Sequence, residues 1–161
     1  MKELKLNNSN DVALLDDEDY NKIVALNLTW CKSSGSVSAK MWHKAGSYLL
    51  RKTVHIHRII MGLTFDDKRQ VDHINLNFLD NQRSNLRICS KAQNCCNKPS
   101  KNKHGYKGIY FCPKVKVWYA RVKINGEYIS LGRYSTAKIA ALAYNFGAYK
   151  YHGEFAHVNI I

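Results

Sequence analysis

Short apolar runs alternate with polar turns along the chain, in two different periods. Val12-Ala13-Leu14-Leu15 has the length of a strand. Asp16-Asp17-Glu18-Asp19 then opens a predicted helix through Tyr20, Ile23, Val24 and Leu26, because acids in a first turn complement the helix dipole. This acidic run reads as a solvated helix start rather than a metal site. Thr29-Trp30-Cys31 reads as strand, Lys32 to Ser36 as a turn, and Val37 to His43 as a returning strand. Ala45-Gly46 turns the chain again before an apolar run from Tyr48 to Ile56. Ile59, Ile60 and Leu63 predict a short helix, with Thr64 to Gln70 a charged loop behind it. His57 and Arg58 on that helix are open between contact with a ligand and a place in the core.

Beyond Pro99 the pattern changes. Pro99-Ser100-Lys101-Asn102-Lys103-His104 is a polar, basic linker with a helix-stopping proline. Three strands follow, at Gly105 to Phe111, Val117 to Ile124 and Glu127 to Tyr134, the last two joined by the hairpin signal Asn125-Gly126. In the second strand Trp118, Ala120, Val122 and Ile124 alternate with Val117, Tyr119, Arg121 and Lys123. One face is therefore apolar and the other more polar and basic. Ser135 or Thr136 caps a final helix that runs to about His152 and is closed by Gly153. Ile139, Leu142, Ala143 and Phe146 recur at helical spacing and are the expected inner face. Alanines on or beside that face let the helix lie close against a sheet.

Charge sharpens this picture. The 161 residues are 45% hydrophobic, enough for a core, and carry a net charge of +13. Residues 1–70 hold 11 Lys/Arg against 8 Asp/Glu, and residues 71–161 hold 14 against 4. From Lys98 to Lys123 there are eight Lys/Arg and no acid, with aromatics interleaved. Such a field suits a polyanion, with nucleic acid first. A membrane partner is not expected, since neither a lipid-anchoring motif nor a long basic amphipathic helix is found. Five cysteines without a C-x-x-C pair argue against structural zinc. With no signal peptide, a reducing cytoplasmic interior is expected, and the cysteines are read as small packing residues.

The candidate chemistry lies between Val71 and Asn97. Asp72 and His73 end a short apolar run, a polar loop carries Asp80, Asn81 and Asn85, and Leu86-Arg87-Ile88-Cys89 is a second short run. Ser90 then caps a helix presenting Asn94 and Asn97 on one face. A carboxylate, an imidazole and amide oxygens brought together suit a hard cation beside a base, and Mg²⁺ takes oxygen ligands while keeping positions for water and phosphate.

These residues resemble the HNH family of metal-dependent nucleases with a ββα-metal fold. The similarity is greatest to phage and intron homing endonucleases, through Val71-Asp72-His73-Ile74-Asn75, Leu79 to Arg87, and Gln93-Asn94-Cys95-Cys96-Asn97. Asn94 makes this an H-N-N variant. The resemblance implies that His73 is the general base and that Asp72 and Asn94 hold Mg²⁺ or Mn²⁺. It also implies that Asn85 pins the loop and orients His73. Asp80 and Asn81 shape the turn, and Asn97 is either a further partner of the site or a cap before Pro99. The D-D-E-D-Y and H-R-I-I-M-G blocks resemble the β-rich region preceding the nuclease core in the same family.

Residues 104–161 resemble the apetala/ethylene-response-factor type of DNA-binding domain, through Gly105-Tyr106-Lys107-Gly108-Ile109, Trp118 to Lys123, Leu131-Gly132, the run at 140–144, and Gly153 to Asn159. This resemblance implies a three-stranded sheet laid in the major groove, with Lys107, Tyr110, Lys114, Lys116, Arg121, Lys123 and Tyr128 facing DNA. The expectation is an α+β chain in four parts: a β-rich N-terminal region over 1–53, an HNH core over 54–98, a basic linker over 99–104, and a sheet-and-helix reader over 105–161. It would act as a monomer or weak dimer that hydrolyses double-stranded DNA. The rivals are a non-enzymatic DNA-binding regulator with an inert core, and an RNA-binding protein.

Overall fold

The computed structural model describes residues 1–45, 47–100 and 102–161. Gly46 of the expected Ala45-Gly46 turn and Lys101 of the expected linker thus lie outside the described residues. Two compact units are present, Met1–Ser90 and Lys91–Ile161.

In the first unit, β1 (Lys2–Lys5) pairs antiparallel with β2 (Val12–Leu15), and α1 (Asp17–Ala25) follows. β3 (Cys31–Ser33), β4 (Ser36–Ala45) and β5 (Tyr48–His55) form an antiparallel meander. After α2 (Ile56–Ile60), β6 (Gln70–His73) and β7 (Leu86–Cys89) make a two-stranded antiparallel pair. One apolar core runs through the unit, from Leu6, Leu15, Ile23 and Trp30 to Val37, Ile56, Val71 and Leu86. The N-terminal region and the strands bearing Asp72 and His73 therefore share that core.

The acidic run is a solvated helix start at Asp17 and Glu18 but not at Asp19. Asp19 stands one turn before Ile23 on the inward stripe of α1 and is 2% exposed. The Arg83 guanidinium meets it as a fork, with Nε donating to Oδ2 at 2.7 Å and Nη2 to Oδ1 at 2.8 Å. Nη2 also donates to the Ile60 carbonyl at 2.9 Å, and the Arg83 backbone N–H donates to Asp16 Oδ2 at 2.8 Å. β2 grips the same loop: the Leu14 N–H donates to the Leu79 carbonyl, and the Asn81 N–H to the Leu14 carbonyl, at 2.8 and 2.9 Å. The loop between β6 and β7 is thereby fastened to α1 and β2.

The second unit opens with α3 (Lys91–Cys96). β8 (Ile109–Cys112), β9 (Val117–Ile124) and β10 (Glu127–Tyr134) form an antiparallel sheet ordered β10-β9-β8, packed by α4 (Ala137–His152). Asn125 and Gly126 both have positive φ, 49° and 93°, as a tight hairpin turn needs. The Thr136 hydroxyl caps α4 by accepting from the Ile139 N–H at 3.3 Å.

The inner face of α4 is not the expected one. Ala140, Ala141, Tyr144, Gly147 and Ala148 are buried, whereas Ile139, Leu142 and Phe146 are exposed, Phe146 by 77%. Both stripes recur at helical spacing, so period alone cannot choose between them. That stripe turns inward because the helix sits close to the sheet, and its one large member, Tyr144, lies over Gly108. A Cβ on Gly147 would lie 2.5 Å from Leu131, and one on Gly108, whose φ is +74°, would lie 1.9 Å from the Tyr144 ring.

Two outcomes follow from this packing. Gly108→Ala should destabilise the protein by about 2 kcal/mol or more, through overlap and left-handed strain together. Arg83→Ala should cost about 3 kcal/mol, because it strands a buried carboxylate. Urea unfolding of each variant would read these losses, and a midpoint unchanged from wild type would refute the corresponding contact.

Candidate active site

β6 ends in His73, and the loop that follows is shaped by asparagine side chains. Asn75 Oδ1 accepts from the Asn77 N–H at 2.8 Å, and Asn77 Oδ1 from the Leu79 N–H at 3.1 Å. Asp80 Oδ2 accepts from Asn75 Nδ2 at 2.8 Å. Asn85 is buried: its Oδ1 accepts from the Asn75 N–H at 2.9 Å and its Nδ2 donates to the Asp80 carbonyl at 2.8 Å. It ties the loop at two points, while the hydrogen bond expected from it to His73 is made by Asn81 instead.

Orientation of the imidazole falls to Asn81. This side chain is fully buried, and its Oδ1 lies 3.2 Å from His73 Nε2. Its Nδ2 donates to the Phe78 carbonyl at 3.1 Å, which fixes which end of the amide faces the ring. An oxygen there accepts from Nε2–H, so the basic lone pair of neutral His73 sits on Nδ1. Sequence reasoning gave Asn81 only the turn. The signal it lacked was the clamp of β2 on the Asn81 backbone, a contact between distant parts of the chain.

Asp72 is buried and faces Arg87 across the β6–β7 register. Arg87 donates to Asp72 Oδ2 from Nε at 3.0 Å and from Nη2 at 2.7 Å. Behind His73 lie two more imidazoles. The His57 ring meets it edge-on at 5.2 Å between centroids, and His55 stacks on His57 at 5.5 Å. Arg58 is structural: it donates to the carbonyls of Thr64, Asp67 and Arg69 at 2.7 to 2.9 Å, holding the loop that leads to β6.

Burial sets the protonation of this cluster. Desolvation lowers the His73 pKa against the opposing pull of Asn81, Asp72 and Asp80. His57 is pushed down to about 3 by burial, with the positive charge on its neighbours adding to it. Its Nδ1 is shielded from solvent and has no hydrogen-bond partner among the described residues.

Asp72, His73, Asn81 and Asn85 are thus brought together in the first unit, while α3, which carries Asn94, belongs to the second. Among the described residues, no three His, Cys, Asp or Glu side chains are grouped to hold a metal ion. Asp72 offers carboxylate oxygens of the kind a hard cation takes.

On the second unit, Tyr110 and Tyr119 stack at 5.0 Å across the β8–β9 pair. The Arg121 guanidinium lies 4.8 Å from the Tyr110 ring and 4.0 Å from the Tyr128 ring, with Lys123 Nζ 5.5 Å from Tyr128. Lys114 and Lys116 are exposed in the β8–β9 turn. Lys107 departs from the expected set. Its ammonium donates to the carbonyls of Cys96 and Lys98, closing the end of α3 rather than facing a ligand. Asn159 brackets the Lys107 backbone from both sides and is itself held by Asn145.

No family model matches the chain. A relative in Acanthamoeba polyphaga mimivirus, named as an uncharacterized HNH endonuclease, is 37% identical over 135 residues, spanning 78% of this chain and 70% of the relative. Among the described residues no helix is long and apolar enough to cross a membrane.

The buried imidazole predicts how stability responds to acid. Below the unfolded-state pKa of about 6.5 the unfolded chain binds a proton at position 57 that the folded chain refuses until about pH 3. Stability from this group is complete above that window and falls as pH drops, by about 1.4 kcal/mol per pH unit. Urea midpoints between pH 7 and pH 5 should decline more steeply for wild type than for His57→Gln. Parallel declines would show that His57 is not the group responsible.

Proposed function

The chain belongs to the HNH endonuclease family, and on that basis we propose that it hydrolyses phosphodiester bonds in double-stranded DNA with the help of Mg²⁺ or Mn²⁺. Cleavage is site-directed, of the homing type, with the second unit's sheet gripping the duplex. The observation that carries the reading is the imidazole of His73, anchored through Nε2 by Asn81 and kept neutral by burial.

His73 Nδ1 takes the proton of a water molecule as its oxygen bonds to phosphorus, and the bond to the 3′ oxygen breaks. By the resemblance, Asp72 and Asn94 would hold the cation, which would neutralise charge on the scissile phosphate and on the departing oxygen. Arg87 fixes the Asp72 carboxylate through Oδ2. Asn85 and Asn81 keep the loop from carrying the imidazole out of place.

Duplex recognition is supported by the ladder of Tyr110, Tyr119, Arg121, Tyr128 and Lys123 on the outer face of β8–β10. An Arg held between two tyrosine rings is already ordered, so less entropy is lost when it meets a groove. The face resembles the apetala/ethylene-response-factor arrangement in that a three-stranded sheet presents its basic side.

One observation favours an inert-core regulator instead: Asp72 is already neutralised by Arg87 in a buried pair. Supercoiled plasmid incubated with Mg²⁺ separates the two readings. Wild type should nick it, with a rate that rises with pH through an acid limb below 6.5, because the base must be deprotonated and burial lowers its pKa. His73→Ala should lose about 100-fold or more of the rate while still binding DNA. Binding without nicking by either protein would favour the regulator.

A further inference from the structure

The β4–β5 hairpin has two faces of opposite character. Across its register, Ala39 pairs with Val54, Met41 with Lys52, and His43 with Leu50. This side turns toward the core: Ala39 and Val54 are buried, and Phe65 receives both the His43 ring, at 4.6 Å, and Lys52 Nζ, at 5.0 Å. The opposite side pairs Lys40 with Thr53, Trp42 with Arg51, and Lys44 with Leu49. All six of those residues are exposed, and Trp42 is 66% exposed among three cations. A scattered surface apolar residue needs no explanation. A tryptophan ringed by Lys40, Lys44 and Arg51 is different, because no Asp or Glu occurs from Tyr20 to Phe65 to balance them.

We propose that this outer face is a second DNA contact, a two-stranded basic ribbon laid into the major groove of the same duplex that the nuclease cleaves. The inference rests on duplex DNA being the substrate. β3 pairs only with Ser36 to Ser38, so beyond Ala39 the sheet narrows to two strands. A two-stranded ribbon fits the B-form major groove, about 12 Å wide. Lys40, whose ammonium donates to Thr53 Oγ1 at 2.6 Å, and Lys44 stand four residues apart, about 13 Å along the strand, a spacing at which the two can meet separate phosphates. Trp42, between them, points at the groove floor with Arg51 beside it. A second copy of this chain is disfavoured on that face, since its three cations would oppose three like charges. Duplex RNA is disfavoured because its major groove is too deep and narrow for side chains to read.

The test measures binding rather than cleavage, so it does not depend on the catalytic reading. Binding of the full chain to a mixed-sequence DNA duplex of about 40 base pairs is followed as salt is raised. The triple variant Lys40→Gln, Lys44→Gln, Arg51→Gln should weaken binding by roughly one to two orders of magnitude. It should also reduce the slope of log affinity against log salt by about 2 to 3. Trp42→Ala should weaken binding with the slope unchanged, since it removes no charge. An unaltered slope and affinity in the triple variant would overturn the ribbon while leaving the rest of the DNA reading intact. Failure of the wild-type chain to bind any duplex would remove both. A variant that lost only self-association, or only adhesion to anionic phosphatidylserine vesicles, would assign the face to those partners and overturn the proposal.

Discussion

Asp19 and Arg83 stand 64 positions apart in sequence, and their paired hydrogen bonds decide where the loop between β6 and β7 lies. Arginine suits the place by geometry: a planar fork matches both carboxylate oxygens, and Nη2 also reaches the Ile60 carbonyl. Asp19 has almost no solvent to fall back on, so the pair holds only if the loop stays in place. The Leu14 backbone adds two hydrogen bonds to the same loop. The N-terminal region is in this way the frame on which Asn81 and Asn85 are mounted.

The consequence reaches the imidazole. His73 ends a short strand, and a two-stranded pair alone would leave its ring poorly fixed. Asn81, buried and tied at both ends of its amide, sets the tautomer and thereby names the basic nitrogen. Burial lowers the proton affinity of His73 against the opposing pull of Asn81, Asp72 and Asp80. A base that is neutral and aimed is the arrangement that water activation needs.

The second unit solves a different problem. Its helix packs largely through alanine and glycine, so the inner side of the sheet is filled at short range and the outer side is left uncovered by the helix. Tyrosine rings and guanidinium order one another on that outer side. The β4–β5 hairpin is built on the same division, one face against the core and one carrying cations around an aromatic ring. In both places period-two alternation separates the side that holds the fold from the side that carries the cations.

Local pattern was enough for much of this. The alternation of Val117 to Ile124, the Asn125-Gly126 turn, and the Thr136 and Gly153 helix ends follow from propensities within a few residues. What spacing could not supply were choices made by distant contacts. Two stripes of α4 share one period, and only the closeness of the sheet selects the small one. Four acids in a row look alike in sequence, yet Asp19 is drawn inward because Arg83 arrives to neutralise it. Lys107 carries the charge of a DNA contact but meets the open carbonyls at the end of α3 first. Short-range order is written in neighbouring residues, whereas burial and pairing depend on which segments the folded chain brings side by side.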